Sequence, residues 1–130
     1  MVILDTNIII DHLRQNKNKK SKLVQIASLK PKEALAISTI SVQELYEGKS
    51  TKEAKKEQLL LATISPLKIL PYTYETAKLA GQIARDLPIN IELADAAIAA
   101  TAILSGSPLF TLNHKHFQNI PQLNLYSLNK

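Results

Sequence analysis

The sequence predicts a three-layer α/β/α domain built on a central, mainly parallel sheet of about five strands. Short apolar segments of strand length alternate along the chain with longer segments whose apolar residues recur at helical spacing. Strands that alternate with helices form parallel sheets whose two faces are covered by the helices. The helical segment at residues 93–104 is apolar almost all round, which is typical of a helix in the interior.

The individual elements follow from local patterns. The predicted strands are residues 2–4, 34–39, 68–71, 109–112 and, more weakly, 124–128. The predicted helices are residues 7–15, 22–30, 41–48, 51–62, 74–86 and 93–104. Pro31 ends the second helix, since proline lacks the N–H that a helix interior needs. No internal repeat or low-complexity tract interrupts the pattern, so residues 1–130 are predicted to be a single domain.

Length and composition narrow the class of protein. A chain of 130 residues has the usual size of one domain. It contains no cysteine, which excludes disulfides, thiolate metal sites and thiol nucleophiles. The first residues do not have the basic segment of a secretory signal, and the longest uncharged apolar stretch, residues 96–104, is far short of the ~20 residues that span a bilayer. We therefore expect a cytoplasmic protein with no membrane partner.

Basic residues are concentrated in one stretch of the chain. Between residues 14 and 32 there is no acid, and the basic residues are Arg14, Lys17, Lys19, Lys20, Lys22, Lys30 and Lys32. These seven charges exceed the net charge of +5, so the rest of the chain is slightly acidic. Such a stretch either contacts a polyanion such as nucleic acid or is simply a solvated surface.

Four polar residues are predicted to meet at one edge of the sheet. Asp5 follows the first strand, Glu44 lies in the first helical turn after the second, Asp95 opens the buried helix, and Asn113 follows the fourth strand. Open parallel sheets bind ligands at the carboxyl ends of their strands. These side chains, although far apart in the sequence, should therefore gather in one crevice.

Each acid also has a structural explanation. Ser41 and Glu44 fit a helix capping box, Asp95 suits the first turn of a helix, and Asp5 suits an Asx turn. Taken together, however, converging carboxylates repel one another unless a cation lies between them. Oxygen ligands without cysteine suit Mg²⁺ or Mn²⁺ rather than zinc, and such an ion can activate a water to hydrolyse a phosphodiester. Thr6 and Thr111 either hold these carboxylates in position or simply end a strand or begin a turn.

The sequence around these residues resembles the PIN-domain family, and within it the VapC-type toxins of bacterial toxin–antitoxin pairs. The resemblance lies in four segments that follow one another in family order: residues 2–11 (VILDTNIIID), 40–45 (ISVQEL), 93–102 (LADAAIAATA) and 109–117 (LFTLNHKHF). It implies an endoribonuclease that depends on Mg²⁺ or Mn²⁺, is inhibited by a cognate antitoxin and is usually dimeric. Asp5, Glu44 and Asp95 take the metal-binding and catalytic roles in this resemblance.

One position departs from the family pattern. Many members have a fourth aspartate where this chain has Asn113. An amide can orient a water but adds no charge, which makes tight binding of a second metal doubtful. The basic stretch then offers candidate contacts with the RNA backbone, at Lys17, Lys19, Lys20 and Lys22.

Other interpretations of the same residues are open at this stage. The chain could be a binding module whose acidic crevice docks an arginine of a partner protein, or a relative that cuts DNA. His114 and His116 could cleave RNA by acid–base chemistry without metal, contact phosphate, or be surface residues. Arg85 could contact phosphate or suit the end of its helix. We interpret His12 as structural and leave Asp11 out of the site.

Overall fold

A computed structural model describes residues 1–15, 20–30 and 34–128. Its strands form one parallel sheet in the order β3-β2-β1-β4. The strands are β1 (Val2–Leu4), β2 (Leu35–Ser38), β3 (Lys68–Leu70) and β4 (Leu109–Phe110). The α-helices are α1 (Thr6–Arg14), α2 (Lys22–Leu29), α3 (Thr39–Glu47), α4 (Ala54–Ile64), α5 (Tyr74–Asp86), α6 (Leu93–Leu104) and α7 (His114–Phe117), and a 3-10 helix spans Lys49–Lys52. The predicted α/β class is confirmed.

The two faces of the sheet carry separate apolar clusters, which gives the three layers. Ile3 faces the cluster formed with α5 and α6, whereas its neighbours Val2 and Leu4 face the cluster that includes residues of α1, α2 and α4. This alternation is the ordinary consequence of the two-residue side-chain period of a strand. The central position of α6 is also confirmed, because every residue from 96 to 102 is buried.

The predicted fifth strand is only a single bridge. Leu125 pairs with Leu109 in an isolated parallel bridge, in which the Leu109 N–H donates to Asn124 O and the Tyr126 N–H donates to Leu109 O. The Tyr126 ring packs edge-on against Phe110, with centroids 5.4 Å apart. This aromatic contact holds residues 124–126 against β4 without a continued ladder. The prediction of about five strands is therefore close to the four strands found among the described residues.

Helix α3 begins earlier than predicted. Its N-cap is Ser38, whose hydroxyl accepts a hydrogen bond from the Ile40 N–H at 3.1 Å. The capping box predicted for Ser41 and Glu44 is wrong, because Ser41 already lies inside the helix and is buried. Glu44 consequently lies in the second turn of α3, not in the first.

Within the described ranges, no helix has the length and apolar character required to cross a membrane.

The buried position of α6 leads to a stability prediction. Ile98 is 0% exposed, so Ile98→Ala should leave a cavity and lower the free energy of unfolding by about 2–5 kcal/mol. Ile89→Ala is the matched control, because Ile89 is 60% exposed and its truncation should cost less than about 1 kcal/mol. Urea denaturation of the two variants measures both values. Equal losses would contradict the assignment of α6 to the core.

Candidate active site at the carboxyl edge of the sheet

Asp5 lies at the end of the central strand and is almost completely buried. Its N–H donates to Phe110 O at 2.9 Å, which continues the pairing of β1 with β4 by one residue. One carboxylate oxygen accepts from the Thr6 N–H at 2.8 Å and so caps α1. The other accepts from the Thr111 hydroxyl at 2.7 Å. The Asp5 side chain therefore makes the local hydrogen bond at the turn that the sequence allowed. It also accepts a hydrogen bond from Thr111, which is 106 positions away in the chain.

Thr111 connects Asp5 to the loop that follows β4. Its oxygen accepts a hydrogen bond from the Asn113 N–H at 2.9 Å and lies 3.4 Å from Nδ2 of Asn7. Oδ1 of Asn7 accepts in turn from the Leu112 N–H at 3.2 Å. Asn7 is thus a bridging residue that sequence reasoning did not include in the site, although it belongs to the Asp-Thr-Asn segment at the start of α1.

Glu44 is held by the hydroxyl group of Thr6, which in turn contacts the hydroxyl group of Ser41. The Thr6 hydroxyl donates to Oε1 of Glu44 at 2.6 Å and lies 2.8 Å from the Ser41 hydroxyl. An ionised carboxylate can only accept, so it takes the proton of Thr6 and leaves Ser41 to donate to Thr6. Thr6 and Ser41 are both buried. This arrangement fixes one oxygen of Glu44 and leaves the other for a ligand.

Asp95 is paired with a histidine from the short helix α7. Oδ2 of Asp95 lies 3.2 Å from Nδ1 of His116. The Asp95 side chain is largely buried, whereas the imidazole is about half exposed. The sequence did not predict α7, and this pairing was therefore missed. In the hypothesis of metal-free cleavage, His116 acts together with His114. In the structure, His116 instead contacts Asp95.

The three predicted acids influence one another electrostatically. Burial raises the pKa of Asp5, the hydrogen bond from Thr111 opposes that change, and the charge of Asp95 raises the pKa further. Burial raises the pKa of Glu44, the Thr6 hydroxyl lowers it, and the charge of Asp5 raises it. Such mutual effects indicate that the carboxylates lie near one another at the carboxyl edge of the sheet.

The charge of a fourth acid reaches the same crevice. Burial raises the pKa of Asp95, His116 lowers it, and the charges of Glu92 and Glu44 raise it again. Glu92 is the N-cap residue of α6, but its side chain makes no capping hydrogen bond. Sequence reasoning missed Glu92, and its place three residues before Asp95 was the available signal.

The donor set fits a hard divalent cation. It consists of carboxylate oxygens in an environment that disfavours their negative charge, which is the situation that a bound cation relieves. Among the residues that the structure describes, no three acidic or histidine side chains already form a close ligand cluster. The crevice therefore brings the acids near one another without a complete cage of protein ligands. Mg²⁺ commonly binds through one or two carboxylates, waters and substrate phosphates.

The remaining candidates have mixed outcomes. Asn113 is exposed, and its backbone N–H rather than its amide takes part in the Thr111 network. Lys17 and Lys19 lie outside the described residues, while Lys20 and Lys22 stand at the start of α2. The remaining sequence candidates have the contacts expected of structural residues: His12 Nδ1 lies 2.7 Å from Ser21 Oγ, and the exposed Arg85 is paired with Asp86.

Comparisons with known proteins agree with this geometry. The family model for the PIN domain matches residues 2–123. Ribonuclease VapC10 of Mycobacterium tuberculosis is 35% identical over 95% of this chain and 90% of its own length. The crystal structure of VapBC2 from Rickettsia felis, bound to a DNA fragment from its promoter, contains a similar chain with a TM-score of 0.83 and 30% identity, covering 96% of both chains. A toxin–antitoxin complex from Klebsiella pneumoniae is similar as well, with a TM-score of 0.75 and 26% identity.

A DNA-bound VapBC structure from Salmonella typhimurium is similar too, with a TM-score of 0.84 and 27% identity over 98% of this chain and 97% of that one. The chain belongs to the PIN-domain family, and within that family to the VapC group.

The raised pKa of Glu44 predicts that removing its charge will stabilise the fold, and that this stabilisation will depend on pH. Because the folded protein favours protonated Glu44, the associated stability is present below the ordinary value of 4.5 and is lost as the pH rises through the raised pKa. In EDTA at pH 7, Glu44→Gln should therefore raise the melting temperature, and the gain should disappear near pH 4. The control is Glu75→Gln, an exposed acid in the first turn of α5, which should show no such gain. Thermal unfolding followed by circular dichroism measures both; a gain that persists at pH 4 would contradict the assignment.

Proposed function

We propose that this protein is a metal-dependent endoribonuclease that acts as the toxin of a toxin–antitoxin pair. The observation that supports the proposal is that Asp5, Glu44 and Asp95, from three separate elements, lie near enough for the charge of each to raise the pKa of another. The ribonuclease name of the VapC relatives and the toxin–antitoxin composition of the similar complexes support it. Residues 1–130 then form one nuclease domain that acts on RNA in the cytoplasm.

The carboxylates of Asp5, Glu44 and Asp95 would hold Mg²⁺ or Mn²⁺. When bound, the cation neutralises charge that develops on the scissile phosphate and makes a water more acidic. Thr111 and Thr6 keep Asp5 and Glu44 in fixed orientations, since each hydroxyl donates to one carboxylate oxygen. These fixed orientations reduce the reorganisation needed when a charged substrate arrives.

The reaction is hydrolysis of a phosphodiester. The oxygen of water forms a bond to phosphorus, one P–O ester bond breaks, and the leaving oxygen takes a proton. Asn113 follows β4 and is exposed, and in this proposal its side-chain amide orients that water. His116 lies 3.2 Å from Asp95 and stabilises its ionised form.

An antitoxin partner has a suitable surface beside the site. A cavity of about 440 Å³ lies between α1, α3 and α4, and it reaches Glu44. Its apolar lining consists of Ile10, Leu13, Leu45, Leu59 and Leu60. An amphipathic helix of a partner binds in grooves of this kind by placing its apolar face against such side chains. The homodimer implied by the family resemblance stays a prediction.

One observation favours a second candidate function. Because the described residues contain no ready-made cluster of three metal ligands, the crevice could instead dock a cationic side chain of a partner protein. Titration with Mn²⁺ separates the two functions: metal binding with cleavage supports the nuclease, whereas partner binding without either supports the binding module. Parallel assays with single-stranded DNA test for a DNA-cutting relative.

Removing one ligand charge should abolish cleavage without unfolding the protein. Asp5→Asn and Asp95→Asn keep the shape of the side chain but remove a negative charge from the metal site. Sequencing the 5′ ends of RNA fragments made with Mg²⁺, with Mn²⁺ and with EDTA measures the effect. Asp86→Asn is the matched control, because Asp86 is exposed and paired with Arg85 on α5, and it should cut like the wild type. Cleavage at the wild-type rate by either site variant would refute the assignment.

The basic stretch should make RNA binding depend on salt. If Lys20 and Lys22 each neutralise one phosphate, the double change to Gln should reduce the slope of log affinity against log salt by about 0.7 per contact. Fluorescence anisotropy with a labelled single-stranded RNA, in an Asp5→Asn background that should not cut, gives the slopes. The double change of Lys55 and Lys78 to Gln, on α4 and α5, is the control; an equal effect of both pairs would indicate only a general charge effect.

A further inference from the structure

We propose that a small cavity beside Asp95 is a subsite for one nucleobase of the RNA, next to the bond that is cut. The cavity has a volume of about 170 Å³ and lies between the segment that connects α5 to α6 and the start of α7. The inference rests on the proposed function, which it extends from RNA in general to selection of a particular base.

The cavity adjoins the proposed metal-binding acids, because it shares Asp95 with them. Asp95 and His116 line the cavity, and Asp95 is also part of the acidic crevice. An RNA strand whose scissile phosphate lies in the crevice therefore has an adjacent base within reach of the cavity. Single-stranded RNA presents such bases unstacked, and proteins bind them in pockets.

The lining suits the flat, apolar faces of a base. Leu87 and Ile91 are partly buried against the apolar cluster that includes Ile3 and residues of α5 and α6. This packing makes them a fixed floor of the cavity. Ile89 stands exposed at the rim. The ring of His116 adds a flat surface on the opposite element, and histidine is one of the side chains on which RNA bases stack. Drug-sized ligands occupy pockets of at least roughly 300 Å³, so this smaller cavity fits a base and not a whole nucleotide.

Polar groups around the cavity are placed to distinguish bases. In the described part of the chain, the exposed Asn90 amide makes no hydrogen bond, which leaves one donor group and one acceptor for a base edge. Lys115 provides an ammonium for a flanking phosphate. Its positive charge also opposes the entry of a cationic partner side chain, although Glu92 and Asp95 would favour one. A neutral base carries no net charge that either the acidic or the basic groups of the lining would repel.

The decisive experiment compares cleavage positions in a randomised single-stranded RNA pool. Each protein is incubated with the pool and Mn²⁺, and the 5′ ends of the products are sequenced. The proteins are the wild type, Asn90→Ala, Asn90→Asp and a control, Asn119→Ala. The control changes an exposed asparagine at a different cavity. We expect a base preference next to the cut in the wild type. Asn90→Ala should weaken that preference about twofold to tenfold, as expected for one neutral hydrogen bond, whereas Asn119→Ala should keep the wild-type preference. Asn90→Asp, which removes the donors, should change which base is preferred.

The outcomes separate this inference from the proposed function. If the wild type cuts and its base profile is flat, or is unchanged in both Asn90 variants, the subsite is refuted and the nuclease stands. If the wild type cuts no RNA, the proposed function fails and the subsite fails with it. Melting curves identify any variant that does not fold.

An NMR titration of wild-type protein with the four nucleoside 5′-monophosphates gives a test without variants. The signals of the Asn90 side-chain amide should shift, with the Asn119 amide as the internal reference. Equal shifts at both amides would refute the subsite.

Discussion

A buried carboxylate at the end of the central strand organises this structure. Asp5 is 5% exposed, and burying its oxygens without hydrogen-bond partners would lower the free energy of unfolding. For a small domain that free energy is small, so such a loss would be a large fraction of it. The Thr6 N–H and the Thr111 hydroxyl satisfy one oxygen each. Thr111 reaches Asp5 only because β4 pairs with β1 in parallel and in the observed register. The same pairing brings the loop after β4, with Asn113 and α7, to the edge where α1 begins.

The second constraint is repulsion between carboxylates that the fold cannot separate. Asp5, Glu44 and Asp95 are fixed to the first strand, to α3 and to α6, so they cannot move apart without disturbing these elements. Burial raises the pKa of all three carboxyl groups, and the charges of neighbouring acids raise these pKa values further. A divalent cation or a cationic side chain of a partner would each relieve this repulsion. The proposed nuclease and the alternative binding module therefore depend on the same electrostatic property.

The differences between sequence and structure concern contacts that no local pattern records. Ser41 has the right spacing to Glu44 for a capping box, but Ser38 caps the helix and Ser41 turns inward to Thr6. Both arrangements satisfy local rules, and the choice depends on where α1 packs. The segment 124–128 has the composition of a strand, yet it pairs at only one residue. The short helix α7 was not predicted, because four residues carry too little periodicity to identify a helix.

The sequence alone determined the class of fold and the order of its main elements, and it predicted three acids at the sheet edge. Those features follow from hydrophobic periodicity and from the rule that parallel strands end at a common edge, both of which are local or topological. Tertiary structure alone decided that Asn7, Ser41, Glu92 and His116 join the acids, and it alone formed the cavity beside Asp95. Such pairings depend on distances between distant parts of the chain to within an ångström, and these distances are set by how the helices pack on the sheet rather than by any local pattern.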